Sequence, residues 1–145
     1  MTVRRLFVAE PAPRYLARPP VVVDSSLVCA VLFDEAEREQ AQERLAGKHL
    51  FAPKLLSHEV VNVAVKKFRR GMPAEVVERA LADYAAQAIE LFDTDLHGQY
   101  ALAQQYQLSA YDAAYLWLAA ELKAPLATFD ARLGKAAQRH LGALE

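Results

Sequence analysis

The feature that most constrains this chain is the alternation of very short apolar runs with much longer helical stretches. Four runs read as buried strands, at residues 21–23, 50–52, 89–92 and 125–128. Helical segments separate them, at 27–33, 35–45, 54–70, 74–87, 96–106 and 108–120, and a last one runs from Asp130 to about His140. Gly47 and Gly71 end two of these helices, and Pro73 suits the first turn of another. Asp93 or Thr94 is placed to cap the helix at 96–106. Strands joined through helices need crossover connections, which make a parallel sheet with helices on both faces. The expectation is an α/β domain, a three-layer α/β/α fold with a parallel sheet of four to five short strands, Leu144 marking the fifth. In such folds ligands bind beyond the carboxyl ends of the strands.

Residues 1–20 stand apart. Pro11, Pro13, Pro19 and Pro20 with Arg4, Arg5, Arg14 and Arg18 predict an extended or partly disordered arm, within which Leu6-Phe7-Val8 can form an edge strand. The folded domain is expected over 21–145. A net charge of −1 offers no global field for a polyanion, so such a partner must be held by local basic clusters or by metal ions. The single Cys29 excludes an internal disulfide. No apolar run reaches the roughly 18 residues of a membrane span. The apolar stretch before Glu10 is too short for a secretory signal, so a cytoplasmic setting is expected.

The segment 108–120 is apolar at almost every position and should be a core helix, yet it carries Asp112 near its start. The spacing of Ser109 and Asp112 is that of a capping box, which is one explanation of the acid. Asp24 and Asp130 each close a strand and open a helix, so each reads first as an N-cap. Glu59 has no such role. It lies well inside a helix among Leu55, Leu56, Val60 and Val63, with Asn62 three residues on, and points either to solvent or into a polar pocket. The fold expectation brings all four acids towards one sheet edge. Four carboxylates without a cation repel and raise one another's pKa values. Mg²⁺ or Mn²⁺ with oxygen ligands resolves that conflict, and no Cys cluster or paired His suggests zinc.

Four stretches carry a resemblance: residues 22–26 (VVDSS), 55–63 (LLSHEVVNV), 111–115 (YDAAY) and 126–133 (LATFDARL). In order and spacing they resemble the acidic motifs of the PIN-domain family, and most of all the VapC-like toxins of bacterial toxin–antitoxin pairs. The likeness covers 21 to about 140; the arm lies outside it. It implies a metal-dependent endoribonuclease in which Asp24, Glu59, Asp112 and Asp130 hold Mg²⁺ or Mn²⁺ and water cleaves the phosphodiester to leave a 5′-phosphate. Ser26 and Thr128 match small polar positions that orient carboxylates, and Asn62 a recurrent one. A small VapB-like antitoxin and a homodimer are the implied partners.

The remaining features have plainer readings. His58, His97 and His140 lack an evident partner. Lys66, Lys67, Arg69 and Arg70 form the densest basic run, which suits a helix C-terminus and also a phosphate rail. Tyr111, Tyr115 and Trp117 read as core. A haloacid-dehalogenase-like phosphatase needs a second Asp two residues after the first, and Ser26 stands there. The acidic motifs also suit a housekeeping RNA-processing nuclease, and the fold by itself suits a non-catalytic interaction module.

Overall fold

In a computed structural model, the structure describes Phe7 and residues 18–144. The expected arm and its edge strand lie outside the described residues, apart from Phe7, which is exposed and not in a strand, and residues 18–20. Among the described residues there are four strands: β1 Pro20–Val23, β2 His49–Pro53, β3 Ile89–Phe92 and β4 Leu126–Ala127. Seven helices accompany them: α1 Ser25–Leu32, α2 Arg38–Leu45, α3 Leu55–Arg69, α4 Ala74–Ala86, α5 Leu96–Tyr106, α6 Ala110–Leu122 and α7 Ala131–Gly142. No helix among the described residues is long and apolar enough to cross a membrane.

All strands run parallel in the order β3-β2-β1-β4. Val21, Val22 and Val23 are buried because β1 is interior, with neighbours on both edges and helices over both faces. The three-layer α/β/α architecture is the expected one. Helices α1 to α4 pack among themselves, while α6 contacts β1, β2 and β4 and is flanked by α5 and α7. Ala113, Ala114, Tyr115, Leu116, Leu118 and Ala119 are buried, so α6 is the core helix that its apolar sequence requires. Gly98 lets α5 approach it closely: a Cβ there would collide with Trp117 Nε1.

Several local expectations differ from the structure. Leu144 is in no strand; its amide donates to Leu141 O in the turn that ends α7. The cap of α5 is Asp95, whose Oδ2 accepts from Gly98 N at 2.8 Å, since it alone directly precedes the first helical residue. Asp93 instead pairs with Lys54, and Thr94 donates to Gln99. Helix α2 starts three residues late because Asp34 turns left-handed, with φ of 50°, and Glu35 bonds back to Ala30. Tyr111 is exposed rather than core, at the first turn of α6, while Tyr115 one turn on is buried.

Candidate active site

Strands β1 and β4 deliver chemistry at their carboxyl ends. Val23 of β1 pairs with Ala127 of β4, so the next residues, Asp24 and Thr128, emerge side by side. Thr128 Oγ1 donates to Asp24 Oδ2. Asp24 Oδ1 accepts from Ser26 Oγ at 2.7 Å and from Leu27 N at 3.1 Å, the latter bond capping α1. Ser26 Oγ in turn accepts from Phe129 N at 2.9 Å, and Thr128 Oγ1 accepts from Asp130 N at 2.9 Å. Both hydroxyls that the motifs mark therefore touch this carboxylate. Asp24 is nonetheless buried, and burial pushes its carboxyl above the ordinary carboxylate range. The hydrogen bonds from Thr128, Ser26 and Leu27 pull against that push, and the Asp130 charge adds to it.

Glu59 is the centre of a second polar knot. Tyr115 OH donates to its Oε1 at 2.6 Å and Ser25 Oγ to its Oε2 at 3.2 Å. Of solvent and pocket, the pocket holds, since the carboxylate faces inward to α6 and α1. Sequence reasoning misses Tyr115 and Ser25 as site residues. The available signal is that Tyr115 stands three residues after Asp112, on the same side of the helix. Burial and the adjacent Glu59 keep the Tyr115 phenol protonated well beyond its usual range. Asn62 is exposed, and no hydrogen bond of the described residues ties it to either knot.

Asp112 joins the acids electrostatically. Its amide donates to Ser109 Oγ at 3.1 Å, so the hydroxyl half of the capping box is present. Partial burial raises its carboxyl pKa, and Asp130, Asp24 and Glu59 raise it further, in that order, against a lowering bond from Ser109. All three other acids thus act on Asp112. Asp130 caps α7 through Oδ1, which accepts from Leu133 N at 2.8 Å and leaves its second oxygen outside the cap. Capping and membership of the acidic group are compatible for both Asp24 and Asp130.

Among the described residues, no three Asp, Glu, His or Cys side chains converge tightly enough to hold an ion as they stand. Each acid is drawn to its own donors: Asp24 to Ser26 and Thr128, Glu59 to Tyr115 and Ser25, Asp130 to an amide. The donor set still fits a hard divalent cation. It is all oxygen, and the repulsion that Asp130, Asp24 and Glu59 exert on Asp112 is the quantity that a cation relieves. The basic run ends the helix that carries Glu59: Lys66 and Arg69 are exposed in the last turn of α3, Arg70 follows as its exposed C-cap, and Lys67 pairs with Glu35 at 3.3 Å. His140 Nδ1 shares a 2.9 Å hydrogen bond with Tyr106 OH, while His58 and His97 are exposed.

A doubly wound parallel domain with an acidic group at the carboxyl edge of its sheet is the class that fold and site define. The PIN domain family model matches residues 21–138, and the chain belongs to the PIN-domain family. It is 30% identical over 121 residues to Ribonuclease VapC3 of Pyrobaculum aerophilum, across 79% of this chain and 92% of that protein. The crystal structure of PAE2754 from the same organism is similar with a TM-score of 0.64 at 20% identity, covering 87% of this chain and 91% of that one. Mycobacterium tuberculosis VapC20, described as a sarcin-ricin loop cleaving toxin, is similar with a TM-score of 0.59 at 14% identity, over 80% and 94% of the two chains.

Proposed function

We propose that this protein is a Mg²⁺- or Mn²⁺-dependent endoribonuclease and the toxin of a toxin–antitoxin pair. The observation that carries the reading is the delivery of Asp24 and Thr128 side by side at the carboxyl ends of β1 and β4, with Asp130 opening the next helix and Glu59 turned inward by Tyr115. Similarity to a ribonuclease of the VapC type supports the same reading and supplies the substrate class. Asp24, Glu59, Asp112 and Asp130 are the ligands. A divalent ion, when bound, supplies an activated water and neutralises charge developing on the phosphoryl oxygens.

The chain's own residues supply orientation. Ser26, Thr128 and the Leu27 amide fix the Asp24 carboxylate from both sides before any ligand arrives. Tyr115 and Ser25 do the same for Glu59. Asp112 supplies a carboxylate with a raised pKa, whose ionised form an incoming cation stabilises. The partner is a small VapB-like antitoxin carrying a basic residue that competes with the cation, because a guanidinium can pair bidentately with these carboxylates. The toxin acts as a homodimer.

The test is incubation of purified protein with total RNA in Mn²⁺ or EDTA, with the cut ends mapped. Wild type is expected to cleave only with the cation, whereas Asp112→Asn, which keeps hydrogen-bonding capacity, should remain folded and lose activity by orders of magnitude. Full cleavage by Asp112→Asn refutes its assignment as a ligand. Expressed alone in a bacterial host, the wild type should arrest growth and Asp24→Asn should not, and the small gene adjacent to its own should restore growth. Cleavage of RNA in vitro without growth arrest replaces the toxin by a housekeeping nuclease.

A further inference from the structure

The acidic site leaves unused a basic concave surface among the described residues. Arg132, Lys135 and Arg139 of α7 line a cleft of about 620 Å³ with Gln105, Tyr106 and Gln107 at the end of α5. The three cations recur at i, i+3 and i+7, so they share one helix face. No acidic residue lines the cleft, and among the described residues none of the three forms an ion pair. Helix stability does not explain them all. Arg139 in the last turn complements the helix dipole, but Arg132 is the second residue of α7 and faces the dipole's positive end. An anion in the cleft turns that unfavourable placement into a favourable one. The wall is also braced: Tyr106 OH bonds His140 Nδ1, and the Arg139 guanidinium lies 5.8 Å over the Tyr106 ring.

The cleft begins where the acidic site ends. Asp130 caps α7, Ala131 is the first lining residue of this helix, and Arg139 is about 13 Å farther along the axis. Arg132 and Arg139 are separated by about 10 Å of helix rise, too far to converge on one phosphate group. A ligand that engages all three carries several phosphates in a row. We propose that this cleft holds the phosphodiester backbone of the single-stranded RNA beside the scissile bond, with Arg132 nearest the acids and Arg139 farthest. The inference rests on the nuclease reading for the identity of the polyanion. Arg139, whose guanidinium lies over the Tyr106 ring at 5.8 Å, is the most ordered of the three contacts; Gln105 and Gln107 offer neutral donors at the rim.

The experiment measures binding apart from cleavage. A fluorescent single-stranded oligoribonucleotide is titrated by anisotropy in EDTA at several salt concentrations, with wild type and with Arg132→Ala/Lys135→Ala/Arg139→Ala. Loss of three phosphate contacts should weaken binding at least tenfold at low salt. It should also make the slope of log K against log salt shallower by about 2, at roughly 0.7 per contact for single strands. An unchanged affinity and slope overturns the proposal. So does a loss confined to Lys66→Ala/Arg69→Ala/Arg70→Ala, which would put the backbone on α3. Arg139→Lys keeps the charge and should keep the slope; a slope lost there too means that packing, not charge, was removed, and overturns it as well. The two readings fail separately. Wild type that binds through the cleft but never cleaves RNA in Mn²⁺ refutes the nuclease, and cleavage with an unaltered slope in the triple variant refutes the cleft.

Discussion

Tyr115→Phe isolates the contact that holds Glu59. The ring is buried in α6 and Phe fills the same space, so the substitution removes one hydroxyl without opening a cavity. What is lost is the 2.6 Å bond from the phenol to Glu59 Oε1. Hydrogen bonds to charged groups contribute about 1.5–3 kcal/mol. The low end applies here, because Glu59 is only partly buried and can recruit water, and Ser25 still donates to its other oxygen. A loss of about 1.5 kcal/mol lowers Tm by about 5 °C in a domain of this size. Urea unfolding should show a lower midpoint with an unchanged m-value, since the surface exposed on unfolding is the same. A cycle with Glu59→Gln assigns the loss: the effect of Tyr115→Phe should shrink by about 1 kcal/mol once the carboxylate is gone. A Tyr115→Phe protein as stable as wild type, or the same loss in the Glu59→Gln background, refutes the view that this phenol supports the Glu59 charge.

Mn²⁺ at about 100 times its Kd should stabilise the wild type by roughly 2.7 kcal/mol, and an unmoved thermal midpoint in millimolar Mn²⁺ argues against a shared site. Asp24 and Asp112 both have raised carboxyl pKa values in the fold, so the native state binds protons more tightly than the unfolded chain. Their joint contribution should therefore raise stability in EDTA as pH falls from neutrality through the raised values, levelling off near the unfolded value of about 3.9. Urea titrations of Asp24→Asn/Asp112→Asn should lack that component, and an identical pH slope in wild type and variant contradicts it. Gly98→Ala should destabilise by up to about 2 kcal/mol and shift Trp117 fluorescence, because overpacking against the Trp117 indole outweighs a helix gain of about 1 kcal/mol. A more stable Gly98→Ala would mean that α5 and α6 separate freely.

The sequence by itself determined the elements and therefore the fold class. Strand β3 and the start of α4 fall where the apolar run and Pro73 place them, and Ser109, Asp24 and Asp130 cap the helices that they precede. These signals act within a few residues, through backbone periodicity and the unpaired amides of a first turn, so a linear reading captures them. The same locality explains the small misses, Asp95 rather than Asp93 or Thr94 and the late start of α2, where one residue's backbone angle decides. Tertiary structure alone decided what the acids do together. Thr128 meets Asp24 across 104 residues because β4 pairs with β1 in one register, and Tyr115 meets Glu59 across 56 because α6, packed on β1 and β2, turns this phenol towards Glu59 of α3. Whether Glu59 faced solvent or pocket, and whether Arg132, Lys135 and Arg139 lined a cleft or an open face, depended on which helix lies opposite. Side-chain direction on a helix is periodic in the sequence, but the identity of the neighbour is set by long-range packing.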